Sequence, residues 1–218
     1  MANIAVVLSG CGYLDGAEIY ESVITLLALD SNDAKYQCFA PDINLVQVVN
    51  HISGEPVPEA SRNVLLESAR LARGDIKELS ELDPDEFDAL IFPGGFGAAK
   101  NLSTFAVDGV DMKILPQVER VAKAFAESGK PAGYICIAPT MIPHIYGDGV
   151  KCTIGDNRDV AGAIESMGGQ HVNCAVDDIV VDEGRKVAST PAYMLAGRIS
   201  EAATGIEKLV RQILTWID

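Results

Sequence analysis

The sequence predicts an α/β fold in three layers, a mostly parallel central sheet with helices on both faces. Apolar runs of strand length alternate with longer amphipathic stretches, the pattern of repeated βαβ units. Two of the strand-like runs lead straight into glycine- or proline-marked turns, "IFPGGFG" and "YICIAPT". At 218 residues and 48% hydrophobic, the chain fills one large core, so residues 1–218 are expected to form a single domain.

Ile4 to Leu8 reads as the first strand and Ile19 to Leu29 as the first helix, entered through "LDGAE". "YQCFA" is the second strand, ended by Pro41. After a loop containing "HISGEPVPE", Ser61 is placed to cap a helix over Arg62 to Arg73, closed by Gly74. Ala89 to Phe92 is a short buried strand, and "PGGFGAAKN" after it is too glycine-rich for regular structure, so it is expected to be a functional loop. Apolar spacing predicts a helix over Met112 to Ser128, stopped by Gly129 and Pro131, and Pro131 to Ile135 gives the next buried strand. Arg158 to Met167 reads as helix, and "DIVVDEGRKVAST" as two strands turning at Asp182, Glu183 and Gly184. Tyr193 to Ile217 is a closing helix with Ile199, Ala203, Ile206, Val210 and Ile213 on one face.

A formal net charge of −14 argues against nucleic acid as a partner, because phosphate binding rests on Lys and Arg. No apolar run approaches the roughly 20 residues of a membrane span, and "MANIAVVLSGCG" lacks the basic start of a leader, so no membrane association and a cytoplasmic location are expected. Cys11, Cys38, Cys136, Cys152 and Cys174 form no C-x-x-C pair, so reduced thiols and no metal site are expected.

Three stretches stand out chemically. Cys136 sits where a buried strand gives way to a helix starting near Ala138, a turn that exposes a side chain to the positive end of the helix dipole and lowers a thiol's pKa. The residues alone leave two readings, a nucleophile or the commoner buried structural thiol. In "FPGGFGAAKN", the amide of Gly95 or Phe96, together with that of Ile137, can line an oxyanion hole, although a plain tight turn explains the glycines as well. In "SGCGYLDGAEIYES", Asp15 and Glu18 are read as acids favouring a helix N-terminus. Glu21 lies among apolar neighbours, where partial desolvation raises a carboxyl's pKa and suits it to proton transfer.

Together these stretches resemble the ThiJ/PfpI superfamily, which has the flavodoxin-like three-layer fold of class I glutamine amidotransferases with a nucleophile elbow. More closely, "LSGCG", "PGGFGAAKNLS", "CIAP", "CTIG", "DDIVVDE" and "TPAYMLA" are similar to the ElbB family, over about Ile4 to Val210. The resemblance implies Cys136 as nucleophile, Glu21 as the glutamate that touches it, and Gly95, Phe96 and Ile137 as the oxyanion hole, with Cys11 and Gly94 bordering the pocket. Members with a full triad carry a histidine in the stretch that here reads "KCTIGDN", which has none. His144 is read as a helix-surface or packing residue, His51 as a loop residue and His171 as exposed, so amidotransferase or peptidase chemistry is not expected. What remains is a cofactor-free glyoxalase or deglycase acting on a small 2-oxoaldehyde, with a non-catalytic redox sensor or binding module supporting isoprenoid metabolism as the alternative. The resemblance also implies a homodimer.

Overall fold

The computed structural model describes residues 1–217. Its centre is a seven-stranded sheet of β1 (Asn3–Val7), β2 (Lys35–Ala40), β3 (Ile76–Glu78), β4 (Ala89–Phe92), β5 (Ala132–Ile135), β8 (Val180–Asp182) and β9 (Val187–Thr190), in the order β3-β2-β1-β4-β5-β9-β8. Every pairing is parallel except β8 with β9. Every residue of β4, β5 and β9 is buried, as sheets covered on both faces require. Helices α1 (Ile19–Asp30) and α8 (Ile199–Thr215) pack together over one face, beside α2 (Val64–Leu71). Helix α5 (Pro116–Glu127) covers the other, as right-handed crossovers leading in opposite directions from the sheet centre demand. The predicted α/β three-layer fold is the one found.

Strand order reverses between β1 and β4, where the chain goes one way to β2 and the other way to β5. A crevice opens beyond the strand ends at such a point. The segments that follow β1, β4, β5 and β9 therefore converge there.

Several boundaries differ from the sequence expectation for local reasons. Helix α2 is capped by Asn63, whose Oδ1 accepts the Leu66 N–H at 3.0 Å, because the carbonyl of Arg62 is already paired with the Leu45 amide. Helix α5 starts at Pro116, not Met112, because residues 113–115 pair with the strand-like stretch 102–104. The glycine-rich stretch after β4 is not wholly irregular: Phe96–Lys100 forms α3, with Gly95 as its extended-in cap at φ 101°. The helix expected from near Ala138 begins as a 3-10 turn and becomes α6 (Ile142–Tyr146). Absent from the sequence reading are α4 (Phe105–Asp108) and a two-stranded ladder of β6 (Lys151–Cys152) with β7 (Gln170–His171), while α7 (Arg158–Ser166) falls where predicted.

The closing helix is shorter than predicted. A 3-10 turn at Ala192–Met194 precedes it, and it begins only at Ile199. Ile206, Val210 and Ile213 are buried as expected, joined by Leu209 and Ala202, but Ile199 is 48% exposed and Ala203 only half-buried, because the first turn overhangs the sheet. Leu209→Ala is thus expected to destabilise the protein by about 2–5 kcal/mol in urea melts. Ile199→Ala should fall within about 0.5 kcal/mol of the parent; equal effects of the two would contradict this packing.

Candidate active site

The turn after β5 puts Cys136 in the left-handed region at φ 63°, a conformation a non-glycine residue holds only when its surroundings over-determine it. They do so here: the Cys136 N–H donates to the Thr190 carbonyl at the end of β9 at 3.0 Å, and a 3-10 turn, Ala138–Met141, begins directly after Ile137. The thiol turns back into the protein and is 7% exposed. The N–H groups of Gly95 and Ile137 face its sulfur, and the Glu21 carboxyl lies beside it.

Glu21, in the first turn of α1, is fully buried. Its Oε2 accepts the Gly94 N–H at 3.0 Å, and its Oε1 accepts the Tyr193 N–H at 3.1 Å. Burial pushes this carboxyl up to about 8, opposed by the Tyr193 amide and assisted by the Glu18 charge. The partial desolvation expected from sequence is complete in the structure. Around it, the buried hydroxyls of Ser22 and Thr25 donate to the carbonyls one turn back, so α1 can sink polar residues without leaving them unpaired.

Gly94 lies between the two side chains. A Cβ there would collide with the Cys136 Cβ and come within 2.6 Å of the Glu21 Oε2. Only glycine permits the carboxyl and the thiol to meet.

Two expectations need correction. The elbow does not lower the thiol's pKa: burial first, and then the Glu21 charge, push Cys136 well above its ordinary value, and the Gly95 and Ile137 amides offset this only in part. Nor is the Phe96 amide available to an oxyanion, since it donates to the Tyr13 carbonyl at 2.8 Å, leaving Gly95 and Ile137 as the donor pair. The Phe96 ring, 45% exposed, stands at the mouth instead.

Cys11 is half-buried in the loop after β1, and its charged neighbours are Glu67, Arg70, Asp15 and Arg62. It is a free thiol, as is Cys136. Asp15 is buried away from the helix end: its Oδ2 accepts the Val49 N–H at 2.7 Å and its Oδ1 lies 3.7 Å from His51 Nε2. Glu18 does serve the helix terminus, as the N-cap of α1.

None of the three histidines is a hydrogen-bond partner of Cys136 or Glu21. His144 is exposed on α6, as expected. His171 is not exposed but part-buried in β7, where it accepts the Ile154 amide at 3.3 Å. His51 accepts the Leu14 N–H at 3.3 Å and packs edge-on against Tyr13, with ring centroids 5.5 Å apart.

Sequence reasoning missed Thr190 and Tyr193, which hold the Cys136 backbone and the Glu21 carboxyl. The usable signal was Pro191 immediately after a buried strand, which forces the chain out of the sheet just there. Ala192, at φ 43°, completes the turn that presents the Tyr193 amide.

Comparison with known proteins bears on the family and the fold. The chain is 45% identical over 222 aligned residues to the human "Glutamine amidotransferase-like class 1 domain-containing protein 3, mitochondrial", covering 98% of this chain and 82% of the relative. It is 44% identical to the rat "ES1 protein homolog, mitochondrial", with 98% and 83% covered. The crystal structure of an isoprenoid biosynthesis protein with amidotransferase-like domain from Ehrlichia chaffeensis superposes over the whole of both chains with a TM-score of 0.93 at 37% identity. At 16% identity, a ThiJ/PfpI domain protein from Brachyspira murdochii shares the fold alone, with a TM-score of 0.57 over 98% of this chain and 96% of its own. Residues 13–196, which hold Glu21, Gly94, Gly95, Cys136 and Tyr193, match the DJ-1/PfpI family. With that span and those relatives, the chain belongs to the DJ-1/PfpI family.

Proposed function

We propose that the protein is a cofactor-independent glyoxalase of the ElbB type, converting glyoxal or methylglyoxal and water to the 2-hydroxy acid. The observation that carries this reading is the direct contact of a buried carboxyl with the Cys136 thiol, beneath two backbone N–H donors and without a histidine. Amide hydrolysis needs a base that also protonates a leaving amine. Isomerising an oxoaldehyde needs only one group that takes a proton and returns it.

In the proposed sequence, the Glu21 carboxylate takes the thiol proton as sulfur bonds to the aldehyde carbon. The carbonyl oxygen gains negative charge against the Gly95 and Ile137 amides and then takes back from Glu21 the proton that came from the thiol, giving a hemithioacetal and restoring the carboxylate. Glu21 removes the hydrogen from that carbon and delivers it to the neighbouring carbon, while the hemithioacetal hydroxyl proton passes to the neighbour's oxygen. The first carbon is thereby oxidised to a thioester and the second reduced to an alcohol, with no net electron change. Water hydrolyses the thioester, releasing the hydroxy acid and restoring the thiol. Because thiol and carboxyl titrate as a pair, the reactive population carries one proton fewer than the resting one.

Glycolate from glyoxal and lactate from methylglyoxal, formed without glutathione or metal, are the expected products. Cys136→Ala should abolish them, and Glu21→Gln should lower kcat by about 10²–10⁴-fold. If the purified wild type makes neither product, the reading fails, and the alternative of a non-catalytic redox-sensing or binding protein takes its place.

Two pH dependences follow from the raised Glu21 value. Turnover should climb as pH rises through about 8, where Glu21 becomes a carboxylate. Stability should move the other way. Between the ordinary 4.5 and about 8 the folded protein holds a proton that the unfolded chain has lost. The corresponding stability is complete below 4.5 and is lost as pH rises to about 8. Urea melts of wild type and Glu21→Gln across this range should diverge in slope, and parallel curves would contradict the assignment.

A further inference from the structure

Glu18 is the one acid at this site to which the chemistry above gives no part. Half-buried at the N-cap of α1, it accepts the Glu21 N–H through Oε2 at 2.7 Å. Its own N–H donates to the Gly94 carbonyl at 2.7 Å, while the Gly94 N–H donates to the Glu21 carboxyl. Both glutamates are therefore tied to opposite sides of one peptide strand, and that strand fills the gap between carboxyl and thiol. An N-cap needs only a short polar acceptor such as serine, threonine or aspartate. Glutamate is a long residue for this role, and its carboxyl is held within one helical turn of a second, fully buried carboxyl.

We propose that Glu18 is a positioning residue for the Cys136–Glu21 pair: its carboxylate fixes the first turn of α1 against Gly94 and, by its charge, keeps the proton on Glu21. Burial disfavours charge on Glu21 already, and a neighbouring negative charge disfavours it further. The other titratable groups around Glu21 do not counter this. The Cys136 thiol faces it from the elbow; Tyr193, on the turn before α8, presents its amide, and its phenol is itself under the influence of Glu18, Tyr20, Glu21 and Glu201.

The inference deepens the role given to Glu21 in the glyoxalase reading, so its test is made without substrate and either can fail alone. The infrared carboxylic-acid band of Glu21, assigned by its loss in Glu21→Gln, is followed against pH in the intact protein. Glu18→Ser, which caps without charge, and Glu18→Gln, a second uncharged variant should the first not fold, are expected to lower the midpoint by about half a unit or more. Glu18→Asp, which caps and keeps the charge, should leave it in place. An unmoved midpoint in the uncharged variants, an equal shift in Glu18→Asp, or no acid band near pH 7 in the wild type would each overturn the proposal.

Discussion

The site depends on a carboxyl group kept out of water. Desolvating a carboxyl is unfavourable unless its lone pairs are met, and Glu21 meets them with two backbone N–H groups drawn from distant parts of the chain, Gly94 after β4 and Tyr193 after β9. Those two segments must arrive together with the elbow of Cys136. The reversal of strand order between β1 and β4 makes this possible, since it brings the exits of β1, β4, β5 and β9 to one crevice. The fold thus serves the site by timing four chain exits in space, and the carboxyl is the point at which any error would show.

Backbone strain recurs at the same place, although Asp33, Arg73 and Lys186 adopt positive φ elsewhere. Cys136, Ala192 and Gly95 all adopt positive φ, and each turns a backbone N–H or a side chain toward the shared centre. The neighbouring glycines are required by close approach as well as by conformation: a Cβ on Gly95 would meet the Gly16 carbonyl, and one on Gly97 would meet Gly16 from the other side. The loop after β1 and the start of α3 are consequently pressed together, and Asn101 stitches them by donating to the carbonyls of Ser9 and Asp15 at 2.9 and 2.8 Å. Lys100 adds a bond to the Leu14 carbonyl at 2.9 Å while its ammonium lies over the Phe96 ring. The mouth of the site is in this way built on a braced loop.

The strands and the first helix were legible because their signals are local. Period and punctuation placed Ala89–Phe92, Pro131–Ile135 and the Cys136 turn, and the resemblance supplied the roles of Cys136 and Glu21. What sequence did not disclose depends on distance in space. The dipole argument gave Cys136 a lowered pKa because it counted the helix and not the burial or the buried acid beside it. Phe96 looked like an oxyanion donor until its amide was found spent on Tyr13, a residue far away in sequence. Asp15 looked like a helix acid because it precedes a helix, yet its partner is Val49, in a loop whose course no periodicity predicts. Ile199 obeyed the helical repeat and still faces water, because a helix's register says which residues share a side and not where the sheet ends.

The complete burial of Glu21 also bears on isotopes. A hydrogen handed to a carboxyl that no water touches has nothing to exchange with before it is handed on. In the proposed reaction, the hydrogen removed from one carbon is then largely the same atom that arrives on the next, and the product keeps a label that a solvent-open base would wash out.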